Sequence, residues 1–257
     1  MSKVETFRAL HEDEPFVIPN PWDVGSARVL EALGFRALAT TSSGFAFTLG
    51  RLDGNVTLDE VTAHVAELNE ATELPVSADL ENGYGPTPED AARAVTRAAE
   101  AGAAGGSIED WDPRDERIYD MAHAVERVAA AVEAARATGF VLTARAEGLL
   151  RGNPDLDDAI ARLQAFEAAG ADVLYAPGLS SVEQVRAVCG AVAKPVNVLA
   201  RPTFTFAELA EAGAQRVSVG GGLTWVAVKA FADAAAAIHD GGDFSALSAS
   251  VPLRDWL

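Results

Sequence analysis

Residues 75–110 read PVSADLENGYGPTPEDAARAVTRAAEAGAAGGSIED, and this stretch contains one complete structural repeat. Short apolar runs at Pro75–Asp79 and Gly106–Glu109 are typical of buried strands. Between them, Thr87 and Asp90 have the spacing of a helix capping box, and Gly102 follows an alanine-rich segment with helical spacing. The stretch therefore predicts a strand, a loop, a helix closed by glycine, and the next strand.

The same unit recurs along the whole chain. Glycine again ends a predicted helix just before a strand at Gly34, Gly170 and Gly213. Eight units in about 250 residues are typical of a single-domain α/β fold, the (β/α)8 TIM-type barrel, which would span residues 1–257. The eight predicted strands are Phe16–Pro19, Ala37–Thr41, Pro75–Asp79, Gly106–Glu109, Val141–Arg145, Val173–Ala176, Pro195–Leu199 and Arg216–Val219.

A doubly wound open sheet is the main alternative to the barrel. In that fold a glycine-rich dinucleotide-binding turn would follow the first strand, whereas this chain has Asn20-Pro21-Trp22-Asp23. No linker rich in proline, glycine or serine divides the repeats. The pattern therefore favours one barrel.

Composition limits the classes of partner. With 20 basic and 38 acidic residues the chain has a formal net charge of −18, so we expect neither nucleic acid nor an anionic membrane as a partner. The single cysteine, Cys189, excludes an internal disulfide. No apolar run of 18 residues occurs, and the first residues lack a secretory apolar core, so we expect a cytoplasmic protein.

Charged side chains cluster at the predicted strand ends, which meet at one mouth in a barrel. Asp79 and Glu81 are two residues apart and would share a face if both lay on a strand. Glu109 ends the fourth apolar run and Arg145 ends the fifth. Three carboxylates and a guanidinium suit a hard divalent ion held partly through water, beside a substrate carboxylate bound by arginine. We expect Mg²⁺, with Mn²⁺ as the alternative.

Several motifs together resemble the isocitrate lyase / phosphoenolpyruvate mutase superfamily, over essentially the whole chain. In chain order they are Asn20-Pro21-Trp22-Asp23-Val24-Gly25-Ser26-Ala27-Arg28, Leu49-Gly50-Arg51-Leu52-Asp53, Asp79-Leu80-Glu81-Asn82-Gly83-Tyr84-Gly85, Ser107-Ile108-Glu109-Asp110 and Thr143-Ala144-Arg145.

This resemblance implies an enzyme that binds Mg²⁺ and a small 2-oxo acid, or an adduct of one, and makes or breaks a bond to its C3. It implies that Asp79, Glu81 and Glu109 hold the metal, with Asp53 close by, and that Arg145 grips the substrate carboxylate. The further substrate contacts that it implies are Ser42 and Ser43, through the backbone N–H groups of their loop, and Asn197.

The segment after the fourth strand departs from the resembled family. The lyases of the superfamily carry a Lys-Lys/Arg-Cys-Gly-His motif there, and the phosphonate enzymes use a lysine. This chain has Trp111-Asp112-Pro113-Arg114-Asp115-Glu116-Arg117, in which Arg114 and Arg117 could contact an anionic group, although we predict that they lie in a solvated loop.

Three functions remain open at this stage. The first is a lyase or decarboxylase that acts through an enolate on a substrate such as oxaloacetate. The second is a phosphonate-type mutase or hydrolase, and the third is a barrel that binds 2-oxo acids without catalysis.

Two further expectations concern the pocket rim and the C-terminus. Trp22 and Tyr84 follow strand ends, and we expect them either to wall the substrate pocket or to pack at the barrel rim. Residues 243–257 form an apolar tail that we expect to pack either on a neighbouring subunit or on its own barrel. Because members of the resembled family often exchange their last helix between subunits, we expect a homodimer or homotetramer.

Overall fold

Eight parallel strands form one sheet in the computed structural model, which describes residues 1–248 and 250–257. The strands are β1 (Phe16–Ile18), β2 (Leu38–Ala39), β3 (Val76–Asp79), β4 (Gly105–Glu109), β7 (Val141–Arg145), β8 (Val173–Tyr175), β9 (Val196–Leu199) and β10 (Arg216–Ser218). They pair in the order β1-β10-β9-β8-β7-β4-β3-β2.

The two ends of this sheet meet and close the barrel. The backbone N–H of Ala39 donates to the carbonyl of Pro19 at 3.0 Å, which joins β2 to the end of β1. The Asn20 side-chain amide adds a second link by donating to the Thr40 carbonyl at 3.0 Å. The predicted (β/α)8 barrel is therefore confirmed, and each of the eight predicted strands overlaps an observed one.

Helices alternate with the strands and cover the outside of the barrel. They are α1 (Lys3–Leu10), α2 (Val24–Ala32), α3 (Ser42–Thr48), α4 (Leu58–Ala71), α5 (Pro88–Glu100), α6 (Met121–Arg136), α7 (Leu156–Ala169), α8 (Val182–Ala191), α9 (Phe206–Glu211), α10 (Gly222–Gly241) and α11 (Leu253–Trp256), with a 3-10 turn at Ser245–Ser248.

Local sequence determines where these helices begin and end. The side chains of Thr57, Thr87 and Thr205 each accept a hydrogen bond from the backbone N–H of the acidic residue three positions later. The side chain of that acidic residue accepts a hydrogen bond from the threonine backbone N–H, which completes a capping box. Gly213 follows α9 with φ +101°, a left-handed conformation that a residue with a side chain adopts only with strain. A β-carbon there would come within 2.9 Å of Cys189 Cβ, so glycine also permits the close approach to α8.

A small hairpin follows β4, where the sequence predicts a solvated loop. Strands β5 (Trp111–Asp112) and β6 (Arg117–Ile118) pair antiparallel. Asp112 is buried and accepts a hydrogen bond from the Arg114 backbone at 3.0 Å, whereas the Arg114 and Arg117 side chains are exposed. The exposure of both arginines agrees with the prediction, whereas the strand pairing was not predicted, because strands of two residues are too short to show alternating hydrophobicity.

Helix α10 is exposed on almost all sides despite its apolar sequence. Thr224 is its single buried residue, and Val226 and Phe231 are 68% and 74% exposed. The short helix α11 lies against α2 of the same chain. Within residues 1–248 and 250–257, no helix has the length and apolar character needed to cross a membrane.

Candidate active site

Two adjoining cavities open at the C-terminal ends of the strands. The central cavity has a volume of about 200 Å³ and extends into the barrel, and the outer cavity has about 250 Å³ and lies under the hairpin. Both are lined by Ser42, Asp53 and Arg145. The predicted site residues Ser43, Asp79 and Asn197 line the central cavity, and Glu81 and Glu109 line the outer one.

Arg145 lies at the centre of this arrangement. Its Nη1 contacts Asp79 Oδ1 at 3.0 Å, and its Nη2 contacts Glu109 Oε2 at 3.1 Å and Glu147 Oε1 at 2.7 Å. The guanidinium also lies over the Tyr175 ring, 5.2 Å from its centroid. Three carboxylates from different loops and strands therefore fix one buried cation between the two cavities.

Asp79 is held at the end of β3 by its neighbours. Its Oδ2 accepts a hydrogen bond from the Ser42 backbone N–H at 3.2 Å, and its own N–H donates to Thr40 Oγ1 at 2.8 Å. Ser42 is the first residue of α3, so the start of this helix and the carboxylate are positioned together. The Ser42 loop and the acidic cluster therefore lie together, and the role of Ser42 as a substrate contact stays a prediction.

Glu81 lies at the site because of a turn and not because of the strand alternation that the sequence suggests. Strand β3 ends at Asp79, and Glu81 has φ +47°, which is a left-handed backbone conformation. A turn rather than a pleat directs its side chain, and Tyr84 donates a hydrogen bond to its Oε1 at 3.4 Å. Burial first, and then the charges of Asp79 and Asp53, raise the pKa of Glu81 to about 8.

Glu109 is the last residue of β4 and is 6% exposed. Burial raises its pKa well above the usual range. Arg151 contacts Glu109 Oε1 at 3.6 Å and Glu147 Oε2 at 3.4 Å, and its guanidinium lies 4.6 Å from the Trp111 ring centroid. Neither Arg151 nor Glu147 was predicted as a site residue, although Glu147 follows Arg145 with the same two-residue spacing as the Asp79 and Glu81 pair.

The donor set can be compared with the needs of a divalent cation. Asp53, Asp79, Glu81 and Glu109 line the mouth, and burial raises the pKa of Asp53 as well as that of Glu81. Carboxylates that lie close together and repel one another favour a bound cation. Within the described part of the chain, however, no three acidic, histidine or cysteine side chains form a ready coordination group. The residues fit an ion that keeps several of its waters.

The floor of the central cavity is polar. Asn197 is almost fully buried and donates from Nδ2 to Ser218 Oγ at 3.0 Å. Tyr175 and Ser218 line the same cavity, and burial raises the pKa of Tyr175 to about 12. Nothing in the sequence pattern alone pointed to the Tyr175 hydroxyl or to Ser218.

The two predicted aromatic wall residues lie apart from each other. Tyr84 lies beside Glu81 and lines a third cleft of about 480 Å³. Trp22 is half-buried and packs near Gly44, outside the residues that line the central and outer cavities. A role for either residue in substrate binding stays a prediction.

Comparison with known proteins connects this geometry to a family. The sequence profile of the family described as phosphoenolpyruvate phosphomutase matches residues 7–239. The chain is 31% identical to 2-methylisocitrate lyase of Escherichia coli K12 over 81% of its length and 75% of that protein. It is 30% identical to oxaloacetate decarboxylase of a Bradyrhizobium strain, over 84% of its length and 76% of the relative.

A solved structure is more similar still. A candidate lyase/mutase of Burkholderia cenocepacia J2315 superposes with a TM-score of 0.94 at 52% identity, covering 98% of this chain and 93% of the other. The fold and site thus define a TIM-barrel enzyme class with an acidic mouth. The chain belongs to the phosphoenolpyruvate phosphomutase family, within the isocitrate lyase / phosphoenolpyruvate mutase superfamily.

The raised pKa of Glu81 predicts how stability changes with pH in metal-free protein. The pKa is about 8 in the folded state and about 4.3 in an unfolded chain, so the folded state holds the extra proton between these values. Glu81 therefore adds to the free energy of unfolding, fully so below its unfolded pKa. This contribution is lost as the pH rises through about 8. This loss should approach, but not exceed, about 1.4 kcal/mol per pH unit.

Urea unfolding in EDTA, between about pH 5 and pH 8, measures this slope. Glu81→Gln should reduce the dependence of the free energy of unfolding on pH. Glu126→Gln, on the exposed face of α6, should leave this dependence as in the wild type. Equal slopes for the wild type and Glu81→Gln would contradict the prediction.

Proposed function

We propose that this protein is a Mg²⁺-dependent enzyme that cleaves a bond to C3 of a small 2-oxo acid, or of an adduct of one, through an enolate. The observation that carries the proposal is the cluster of buried and half-buried carboxylates around Arg145 at the mouth of the central cavity. The named relatives, a 2-methylisocitrate lyase and an oxaloacetate decarboxylase, support a reaction of this class.

Asp79, Glu81, Glu109 and Asp53 would hold the Mg²⁺ ion, partly through water. When bound, the ion would supply a positive charge that stabilises negative charge developing on the 2-oxo oxygen. Arg145 would bind the substrate carboxylate, and the N–H groups at Ser42 and Ser43 would orient the substrate oxygens. The N–H of Ser42 donates to Asp79 in this structure, so a substrate oxygen would share this donor with the carboxylate.

The hairpin limits the choice of reaction. Residues 111–118 contain no cysteine, lysine or histidine, and an arginine is a poor proton donor because its pKa exceeds about 12. A reaction with small demands for proton transfer fits best. Decarboxylation of an oxaloacetate-like diacid is one example, since the departing CO₂ needs no general acid.

The phosphonate-type mutase or hydrolase is the second candidate, because the matching family profile carries the mutase description. That reaction would need Arg114 or Arg117 to replace the missing lysine, and both side chains are more than half exposed. The non-catalytic binding barrel remains the third candidate, and it would show no turnover at all.

Enzyme assays with Mg²⁺ and a panel of 2-oxo diacids, including oxaloacetate, should release pyruvate from at least one of them. Asp79→Asn should lower the rate by about 100-fold or more, because a metal carboxylate is lost, and EDTA should have the same effect. Asp157→Asn, an exposed position in the first turn of α7, should keep wild-type activity.

Free Mg²⁺ itself accelerates oxaloacetate decarboxylation, so the Asp79→Asn protein at the same Mg²⁺ concentration is the correct blank. A wild-type rate equal to that blank across the whole panel would reject the proposed function.

We also propose that the protein is a homo-oligomer assembled through α10. Large apolar side chains that stay exposed along a 20-residue helix are typical of a surface covered by another subunit. Two other large apolar side chains near the start of this helix are exposed: Trp225, in its first turn, and Phe47, which contacts the Trp225 ring edge to face at 5.8 Å. Exchange of α10 between subunits would bury this surface.

Light scattering should therefore give a mass at least twice the 26.8 kDa of one chain. Phe231→Asp, in the middle of the exposed face, should shift the protein toward the monomer. Lys229→Asp replaces a side chain that is already polar and exposed, so it should cause a smaller shift toward the monomer. A monomeric wild type at micromolar concentration would refute the assembly.

A further inference from the structure

Arg216 is a buried cation without an acidic partner. It is 4% exposed, and no carboxylate in the described residues lies within ion-pair distance of it. Its guanidinium donates from Nε to Asn197 Oδ1 at 2.8 Å and from Nη2 to Thr143 Oγ1 at 2.9 Å, and its Nη1 lies 3.2 Å from His11 Nε2. All three partners are neutral or can be neutral.

The histidine does not supply a compensating charge. His11 Nδ1 lies 2.8 Å from the Phe7 carbonyl, so this nitrogen carries the proton and Nε2 accepts from Arg216. Burial, and next the charge of Arg216, lower the pKa of His11 to about 3. The guanidinium thus keeps a full positive charge in the barrel interior, where an unpaired charge is costly.

This cation faces the central cavity. Arg216 is the first residue of β10 and lines the same cavity as Asp79 and Arg145, so it lies at the floor while they lie at the mouth. The three contacts use three of the five N–H donors of a guanidinium. Its bond to Asn197 Oδ1 also fixes that amide, so the NH₂ group of Asn197 points to Ser218 and the cavity.

The charges along the cavity are therefore unequal. At the mouth, Arg145 is surrounded by three carboxylates, which leaves little net positive charge for a second anionic group of a substrate. At the floor, the side chains that accompany Arg216 are the neutral donors Asn197 and Ser218. The floor is the part of the cavity where a buried anion would find a positive charge and hydrogen-bond donors together.

We propose that Arg216 and Asn197 form an anion subsite at the floor of the cavity, which selects substrates with a second carboxylate. This proposal rests on the proposed function and narrows its substrate class to 2-oxo diacids and their adducts. The 2-oxo acid group would lie at the acidic mouth, and the second carboxylate would accept hydrogen bonds from Arg216 and Asn197.

Two unreactive acids test the subsite by titration calorimetry in Mg²⁺. Malate and 2-hydroxybutyrate share a 2-hydroxy acid group and differ in one terminal group, a carboxylate in malate and a methyl in 2-hydroxybutyrate. The wild type should bind malate about tenfold or more tightly than 2-hydroxybutyrate. Arg216→Met should bring the ratio of the malate affinity to the 2-hydroxybutyrate affinity near one. It should change the affinity for 2-hydroxybutyrate little. Arg216→Lys should keep part of the preference, and the exposed control Arg186→Met should keep all of it.

A purely structural role for Arg216 predicts a different result. In Arg216→Met the affinities for malate and for 2-hydroxybutyrate would then fall together, and their ratio would stay as in the wild type. That outcome, or a wild type without preference for malate, overturns the proposal. If Arg216→Met does not fold, Asn197→Asp replaces it, since a carboxylate at this position would pair with Arg216 and neutralise it. The ratio should then fall toward one, and an unchanged ratio overturns the proposal.

The two proposals can fail separately. Pyruvate release without any diacid preference would retain the proposed function and reject the subsite. A diacid preference that depends on Arg216, without turnover of any 2-oxo diacid, would retain the subsite and reject the enzymatic function.

Discussion

The burial of the Arg145 guanidinium among the carboxylates of Asp79, Glu109 and Glu147 is the interaction on which the site depends. Asp79, Glu109 and Arg145 end the neighbouring strands β3, β4 and β7, and Glu147 follows Arg145 by two residues, so the parallel pairing of these strands brings the four groups together. Removing one of these carboxylates would leave part of the charge cluster uncompensated. The same contacts separate the central cavity from the outer one. Fold and site are thus parts of one electrostatic arrangement.

Much of the fold follows from local patterns in the sequence. The strands are short apolar runs between helices with clear N-caps, and Gly213 ends a helix where only a left-handed residue fits. Closure could be predicted from the number of units, because eight repeats of this length match the barrel. The hairpin could not, since its strands of two residues carry no periodic signal.

The site was predicted in outline and missed in detail. Alternation along β3 suggested that Asp79 and Glu81 share a face, yet a left-handed turn at Glu81 brings the side chain to the mouth. Arg151 lies in a loop, and its contacts depend on how the chain folds back over the hairpin. Arg216 had a visible signal, because a charged residue begins a predicted buried strand, but its partners come from distant segments.

The most direct test of the account is calorimetric titration of the protein with Mg²⁺. The cluster around Arg145 should bind one ion per chain, and Asp79→Asn should weaken the affinity by about tenfold or more while Asp157→Asn does not. Equal binding by the wild type and Asp79→Asn, or no binding by the wild type, would contradict the assignment of this mouth as the metal site.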